Sequence, residues 1–113
     1  MNCLFCEIIN KKIKSDIILM TSKVIIIQDI KPQAPIHLLI IPTEHIPTID
    51  EINQKNIYVI NNIILNAKLI AEKKQINKKG YRLIFNVNKQ GGQKINHIHL
   101  HLLAGRQMKW PPG

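Results

Sequence analysis

Three of the five histidines of this chain stand close together in the segment His97-Ile98-His99-Leu100-His101. Successive side chains of a β-strand point to opposite faces, so a strand here would place the three imidazoles on one face and the aliphatic side chains on the other. A lone histidine in an apolar strand is usually a core residue, but three in alternation indicate a site. Imidazole serves either as a metal ligand or as a nucleophile and acid–base group near neutral pH.

The residues before this segment favour phosphorus chemistry over a metal site. No carboxylate lies within residues 97–103, whereas Gly91, Gly92 and Gln93 precede them closely. Glycine lets backbone N–H groups come near an anion. The sequence therefore predicts a phosphate-binding turn beside the histidines.

Three separated blocks of the chain carry a family pattern. They are Asp29-Ile30-x-Pro32-Gln33-Ala34-Pro35-x-His37, Gly91-Gly92-Gln93-x-x-x-His97-x-His99-x-His101-Leu102-Leu103 and Arg106-Gln107-Met108-x-Trp110-Pro111-Pro112-Gly113. In order and spacing they resemble the histidine-triad (HIT) superfamily, and within it the bacterial-type Hint branch of purine nucleoside phosphoramidases. The resemblance implies hydrolysis of the P–N bond of adenosine or guanosine 5′-phosphoramidates and hydrolysis of related aminoacyl adenylates, with no cofactor required for catalysis.

The same resemblance implies a role for each histidine. His99 is the nucleophile that forms a covalent nucleotidyl-histidine, and His101 contacts a phosphate oxygen. His37 and His97 form a supporting network that orients the nucleophile and helps to manage the proton. The attacking nitrogen must be unprotonated, so the other ring nitrogen of the nucleophile must donate, most simply to a backbone carbonyl.

The nucleotide contacts also follow from the resemblance. Asp29 would accept from the ribose hydroxyls and Ile30 would line the base pocket. Asn86 would be an amide on the phosphate side, and Gly92 with Gln93 would supply backbone donors. The alternatives are an ordinary turn former for Asp29 and an ordinary glycine hairpin for residues 91–93.

Two further residues matter for the leaving group and for assembly. Lys94 stands where many Hint proteins carry a serine near the leaving group, and its ammonium group could hold a phosphate oxygen. Trp110 matches a residue that packs across a homodimer near the partner's site, and the alternative is a surface tryptophan that anchors a loose tail.

Cys3 and Cys6 form a separate candidate group. In a reducing compartment such a pair is typical of metal ligands, a redox pair or two small apolar residues. Some bacterial members of the superfamily bind structural zinc with such a pair, a histidine in the position of His45 and the first triad histidine, His97. These four donors would complete a Cys2His2 set. A His97 that ligates zinc could not also serve fully in the proton network with His37.

Hydrophobic periodicity and turn residues predict the elements that position these groups. The pattern is that of an α+β domain with a mostly antiparallel sheet. The resemblance implies a HIT-like fold with five strands, one long helix, a short N-terminal helix, and a dimer that forms one continuous sheet. The predicted ranges are a helix at 3–10, strands at 16–20, 23–28 and 36–41, a long helix at 51–76, a strand at 81–87, a turn at 88–93 and a strand at 95–103.

Length and charge limit the number of domains and the kinds of function that this chain can have. The chain has 113 residues and a formal net charge of +9. This predicts one domain over 1–113, with a core at about 4–105 and a tail at 106–113. The lysines are scattered and the sequence has no RNA-binding aromatic motif, which argues against a nucleic-acid-binding function.

We expect a cytoplasmic homodimer that acts on a purine nucleotide without contacting a membrane. The open alternatives are dinucleoside polyphosphate hydrolysis and a nucleotide-binding regulatory role with little turnover.

Overall fold

The structure, a computed structural model, describes residues 3–113, and residues 1 and 2 of the predicted domain lie outside this range. The strands form one antiparallel sheet in the order β1-β2-β3-β5-β4. This agrees with the predicted α+β class, sheet and pair of helices. The elements are α1 (Leu4–Ile9), β1 (Ile17–Met20), β2 (Val24–Gln28), β3 (Ile36–Pro42), a 3-10 turn (Ile49–Glu51), α2 (Tyr58–Lys73), β4 (Arg82–Ile84) and β5 (Leu100–Ala104).

The three middle strands are buried on both faces, and each face has its own helix. Helix α2 covers one face, where alternate side chains of β2, β3 and β5 pack together with Ile98. Helix α1 covers part of the other face, where Phe5 and Ile8 pack on Ile25 and Leu39. The aliphatic side chains of the histidine segment thus belong to the α2 face, as their alternation predicts. The histidines are left on the α1 face.

Helix α2 begins at Tyr58, seven residues later than predicted, because side chains stabilise a turn in front of it. Asn53 Oδ1 accepts from the N–H groups of Lys55 at 2.8 Å and Asn56 at 3.2 Å. Asn56 Oδ1 accepts in return from the Asn53 N–H at 2.7 Å. Short polar side chains that bond to nearby backbone compete with helix formation in this way.

The same helix ends at Lys73, three residues earlier than predicted. Gln75 is left-handed, with φ 59°, and the Ile76 N–H donates to the Ala71 carbonyl at 3.0 Å. This hydrogen bond closes the helix as a left-handed C-terminal cap does. Across residues 3–113, neither helix is both long and apolar enough to cross a membrane.

The last two strands are shorter than predicted. Strand β4 covers only Arg82–Ile84, and β5 begins at Leu100 rather than at residue 95. Before β5 the backbone leaves the sheet, because the His97 N–H donates to the Ile95 carbonyl at 2.9 Å and the Ile98 N–H donates to the Ile46 carbonyl at 2.8 Å. Of the three clustered histidines, only His101 therefore lies in a regular strand.

Candidate active site

A cavity of about 710 Å³ opens beside α1 on the histidine face of the sheet. This volume lies within the range of ordinary small-molecule sites, roughly 300–1,000 Å³. Apolar side chains of α1 and β2 line one part of it, and polar side chains line the rest. The polar part includes Asp29, His37, Asn86, Lys94, His99 and His101.

His99 is held as a neutral imidazole with one free lone pair. Its Nδ1 donates to the His97 carbonyl oxygen at 2.8 Å. The hydrogen-bond network thereby assigns the proton to Nδ1 and leaves Nε2 unprotonated. The Phe5 ring packs edge-on against the imidazole, with 5.0 Å between ring centroids. Burial lowers the pKa of His99 below the ordinary value, so the ring remains neutral and nucleophilic at neutral pH.

A backbone N–H sets the tautomers of the other two histidines in the cavity. The Gln33 N–H donates to His37 Nδ1 at 3.0 Å, so Nε2 of a neutral His37 carries the proton and donates to His101 Nδ1 at 2.9 Å. His101 must then carry its own proton on Nε2. Burial, with His99 and His37 nearby, lowers the pKa of His101 to about 4.

The remaining partner of His37 is a carboxylate. Asp29 Oδ2 lies 3.4 Å from His37 Nε2, and Asp29 Oδ1 accepts from the Lys31 N–H at 2.8 Å. Burial lowers the pKa of His37, although the charge of Asp29 opposes that shift. His37 is thus a neutral link between the loop after β2 and His101.

The two rings that face the cavity offer complementary chemistry. The centroids of His99 and His101 lie 5.1 Å apart, and one ring has a free lone pair while the other has an N–H group. A lone pair can attack phosphorus while the N–H group donates to one of its oxygens. Asn86 and Gly92 line the same cavity and add further polar groups.

A second cluster on this face consists of Cys3, Cys6, His45 and His97, whose donor atoms all lie within 4.8 Å of one another. Cys3 Sγ lies 3.3 Å from His97 Nδ1, and Cys6 Sγ lies 3.3 Å from His45 Nδ1. The two Nδ1 atoms are 3.0 Å apart. A tetrahedral zinc ion with its usual bond lengths would separate sulfur and nitrogen ligands by about 3.5 Å and two nitrogen ligands by about 3.3 Å. The donor set fits such an ion.

The orientation of His97 supports the same conclusion. Its Nε2 donates to the Pro42 carbonyl oxygen at 2.8 Å, which leaves the lone pair of Nδ1 directed toward the thiols. Metal-binding histidines are commonly held by such a second hydrogen bond. Burial lowers the pKa of His97 to about 4, with the neighbouring His45 contributing. The ring is therefore neutral and available as a ligand.

Known proteins match this chain along nearly its whole length. A family model described as "Scavenger mRNA decapping enzyme C-term binding" matches residues 2–110. The purine nucleoside phosphoramidase of Escherichia coli K12 is 44% identical over 105 residues, which cover 93% of this chain and 88% of that protein. The chain belongs to the HIT family. Adenylylsulfatase HINT1 of Arabidopsis thaliana is 37% identical over 112 residues, 97% of this chain and 76% of that protein.

The solved structures agree with the HIT assignment. A HIT family hydrolase from Legionella pneumophila superposes with a TM-score of 0.97 and is 49% identical, covering 99% of this chain and 100% of that chain. Another from Clostridium thermocellum gives a TM-score of 0.92 at 45% identity, with coverages of 96% and 94%. The family resemblance, the HIT fold and the hydrolase class predicted from the sequence are thus confirmed.

Most of the residues expected to contact the nucleotide line the cavity of about 710 Å³. These are Asp29, Ile30, Asn86, Gly92 and Lys94. Gln93 does not line this cavity. Its Nε2 donates to the carbonyls of Pro47 at 2.7 Å and Ile95 at 3.0 Å, and its Oε1 accepts from the Asn88 N–H at 3.0 Å. The side chain of Gln93 braces the loop that carries Gly92.

The expected network of His37 and His97 is divided between two places. His37 bonds to His101 in the cavity, whereas the ring of His97 lies with the thiols and the Pro42 carbonyl. His97 touches the expected nucleophile through its backbone carbonyl. Its ring therefore belongs to the candidate metal centre and its main chain to the active site.

Trp110 lies apart from the cavity of its own protomer. Its side chain is 83% exposed. The neighbouring Lys109 carbonyl accepts from Arg82 Nη2 at 2.9 Å, which ties this part of the tail to β4. The expected packing of Trp110 across a dimer stays a prediction.

Two residues that shape the site were not predicted from the sequence. Phe5 lines the cavity and touches both His97 and His99, with ring centroids 5.8 and 5.0 Å away. Its place between Cys3 and Cys6 on a short apolar helix was the available signal. Gln33 acts through its backbone N–H, which leaves no trace in the residue type.

Proposed function

We propose that this HIT hydrolase cleaves the P–N bond of purine nucleoside 5′-phosphoramidates through a covalent nucleotidyl-His99 intermediate, releasing AMP or GMP. Related aminoacyl adenylates would be cleaved at their P–O bond through the same intermediate. The observation that carries the proposal is the hydrogen bond from His99 Nδ1 to the His97 carbonyl, which leaves Nε2 free to attack. The 44% identity with a purine nucleoside phosphoramidase supports the substrate class.

In this proposal the nucleotide runs from the apolar to the polar part of the cavity. The base lies against Phe5, Ile27 and Ile30, which line the apolar part. The ribose hydroxyls donate to Asp29. The phosphate lies between His99 and His101, and it receives a hydrogen bond from His101 Nε2.

The reaction then proceeds in two displacements. His99 Nε2 forms a bond to phosphorus as the P–N bond breaks, and the amine leaves with a proton taken from solvent. Water next attacks the phosphorus of the nucleotidyl-histidine and returns a proton to solvent, so that the P–Nε2 bond breaks and the mononucleotide is released. Splitting one difficult displacement into two lowers the barrier of each.

The test is turnover of adenosine 5′-phosphoramidate, with AMP release followed by chromatography. We expect the wild type to release AMP and to form a nucleotidyl adduct visible by intact mass, whereas His99→Gly loses at least about a thousandfold in kcat/KM and forms no adduct. A wild type that binds AMP without turnover would refute the proposed activity. An adduct of unchanged yield in His99→Gly would place the nucleophile elsewhere.

We further propose that Cys3, Cys6, His45 and His97 hold a structural zinc ion. Burial and the neighbouring Cys3 raise the pKa of the Cys6 thiol, so metal binding would release protons from the thiols. When bound, the ion would cross-link α1 to the segments that follow β3 and precede β5. It takes no part in the phosphoryl steps.

We also propose a homodimer that joins the sheets of two protomers. Strand β4 lies at the edge of the sheet, and its Leu83 is 37% exposed. On α2, Leu65 and Leu69 are 57% and 59% exposed. Exposed apolar side chains and an open strand edge are each typical of an association surface. The cytoplasmic location stays a prediction.

A further inference from the structure

A second, smaller cavity adjoins the active site. Its volume is about 380 Å³, and it shares Gly92 and Lys94 with the catalytic cavity. The rest of its lining is polar and carries a second lysine, with no aspartate or glutamate. These other residues are Asn88, Lys89, Gln93 and Asn96.

The loop that forms this cavity is held by its own hydrogen bonds. The Gly92 N–H donates to the Lys89 carbonyl, and the Gln93 N–H donates to the Asn88 carbonyl, both at 3.0 Å. Gln93 adds the side-chain bonds described above. Gly91 packs so closely on the backbone of Val87 that a Cβ atom there would overlap it. The two lysines are therefore carried by an ordered turn.

The positive charge of this turn is uncompensated. Within residues 3–113, the one ion pair that a lysine makes is Lys68 with Glu72 on α2. Lys89 and Lys94 are exposed and have no carboxylate partner in that part of the chain. Their ammonium groups are consequently available to an anionic ligand.

The residues shared by the two cavities indicate what that ligand is. Gly92 and Lys94 line the second cavity, and they also line the catalytic cavity together with Asp29, His99 and His101. With the base and the phosphate placed as in the proposed function, the group that leaves phosphorus is the part of the substrate still without a binding place. The second cavity adjoins the catalytic cavity through Gly92 and Lys94 and offers a place for that group.

We propose that the second cavity is a leaving-group subsite, and that Lys89 and Lys94 make the enzyme prefer substrates whose departing amine carries a carboxylate or another anion. This inference rests on the proposed P–N hydrolysis. In that step the P–N bond breaks, the amine takes a proton from solvent, and its distant anion stays unchanged. The lysines bind that anion and take no part in bond making.

Two matched substrates test this subsite. They are the adenosine 5′-phosphoramidates of γ-aminobutyrate and of γ-aminobutyramide, which differ in one distant charge and little in size or in the reacting bond. For the wild type we expect kcat/KM to favour the carboxylate roughly three- to tenfold, the scale of one or two partly exposed ion pairs. The preference should shrink as ionic strength rises toward about 0.5 M.

Three variants separate the subsite from general electrostatic attraction. Lys94→Met and Lys89→Met should each lower the carboxylate-to-amide ratio, and the double variant should bring it to about one. Lys78→Met removes the same charge from the turn after α2 and should keep the wild-type ratio.

The outcomes also distinguish the two proposals. If neither matched substrate nor adenosine 5′-phosphoramidate releases AMP, the proposed P–N hydrolysis is wrong. If adenosine 5′-phosphoramidate is hydrolysed and neither matched substrate is, the subsite is wrong. If both are hydrolysed at equal kcat/KM by the wild type, or if the Lys78→Met control lowers the ratio as much as Lys94→Met, the subsite is wrong while the hydrolysis stands.

Discussion

At the scale of single residues, the three cavity histidines differ in where each carries its proton. His99 carries it on Nδ1 because it donates to a carbonyl. His37 carries it on Nε2 because its Nδ1 accepts from the Gln33 N–H. His101 follows His37 and offers an N–H group to the cavity. Hydrogen-bond partners thus prepare residues of one type for the three proposed roles of nucleophile, link and donor.

The first prediction concerns His37, the link between the loop after β2 and His101. His37→Phe removes the donor to His101 Nδ1 and should lower kcat for phosphoramidate hydrolysis roughly tenfold to a hundredfold, the scale on which orienting partners of functional imidazoles act. His37→Gln, whose amide can still donate, should recover part of the loss. Steady-state kinetics and nitrogen NMR of the His101 ring provide the measurement. If His37→Phe and His37→Gln had the same kcat and the His101 tautomer were unchanged in both, this role would be contradicted.

The second prediction concerns acid stability. Burial, with His99 and His37 nearby, lowers the pKa of His101 from 6.5 to about 4, while Asp29 opposes the shift. Between these values the unfolded chain binds a proton that the folded protein does not. The free energy of unfolding should therefore decrease as pH falls from about 6.5 toward 4.

Urea unfolding at about pH 7 and pH 5 measures this decrease. The same comparison on His101→Gln is the control, and its loss of stability should be smaller because one such group is gone. A wild type that is equally stable at both pH values would show that the folded histidines bind protons as the unfolded ones do.

At the scale of elements, α1 connects the candidate metal centre to the active site. The helix has six residues, too few to be stable without tertiary contacts. Cys3 and Cys6 bracket Phe5, which lies against both His97 and His99. Holding the two thiols therefore also holds one wall of the cavity.

The third prediction follows from this connection. Cys6→Ser removes one metal ligand and should lower the melting temperature by at least about 5 °C and weaken AMP binding, because α1 loses its cross-link. Metal analysis, thermal unfolding and calorimetric titration with AMP measure the three quantities. Chelator treatment should reproduce the loss in the wild type and have no further effect on Cys6→Ser. Wild-type protein with less than about a tenth of an equivalent of zinc, and no response to chelator, would refute the metal site.

At the scale of the whole molecule, the two edges of the sheet differ. The β1 edge carries Met20, which is 41% exposed, whereas the β4 edge carries Leu83 and lies beside the tail that contains Trp110. Extension of the sheet through β4 would bring the tail of each protomer to the interface. This is the arrangement in which Trp110 could reach the partner.

The fourth prediction tests the β4 edge together with the exposed leucines of α2. The wild type should elute as a dimer in size exclusion with light scattering, and the double variant Leu69→Glu, Leu83→Glu should be a monomer, since charges oppose burial at an interface. Met20→Glu introduces the same charge at the opposite edge and should remain a dimer. A monomeric wild type would contradict the assembly.

Much of this fold and site was readable in the sequence because it depends on local pattern. Alternation placed Ile98 and Leu100 on the α2 face, and the spacing of the blocks led to the HIT family. The ends of α2 and β5 were not readable in the same way. They depend on single side-chain and backbone hydrogen bonds, such as those of Asn53 and of the Ile98 N–H, which hydrophobic periodicity does not reveal.

By itself, the sequence determined the chemistry that is present: imidazoles in alternation, a glycine turn and a pair of thiols. The family resemblance offered His97 two sets of partners, the thiols with His45 or else His37, and only the tertiary structure decided between them. His97 lies 94 positions from Cys3 in the sequence, and yet its Nδ1 lies 3.3 Å from the Cys3 sulfur. His37 forms its hydrogen bond with His101 and not with His97. The reason is physical: a side chain's faces follow from local geometry, but its hydrogen-bond partners depend on where distant backbone passes.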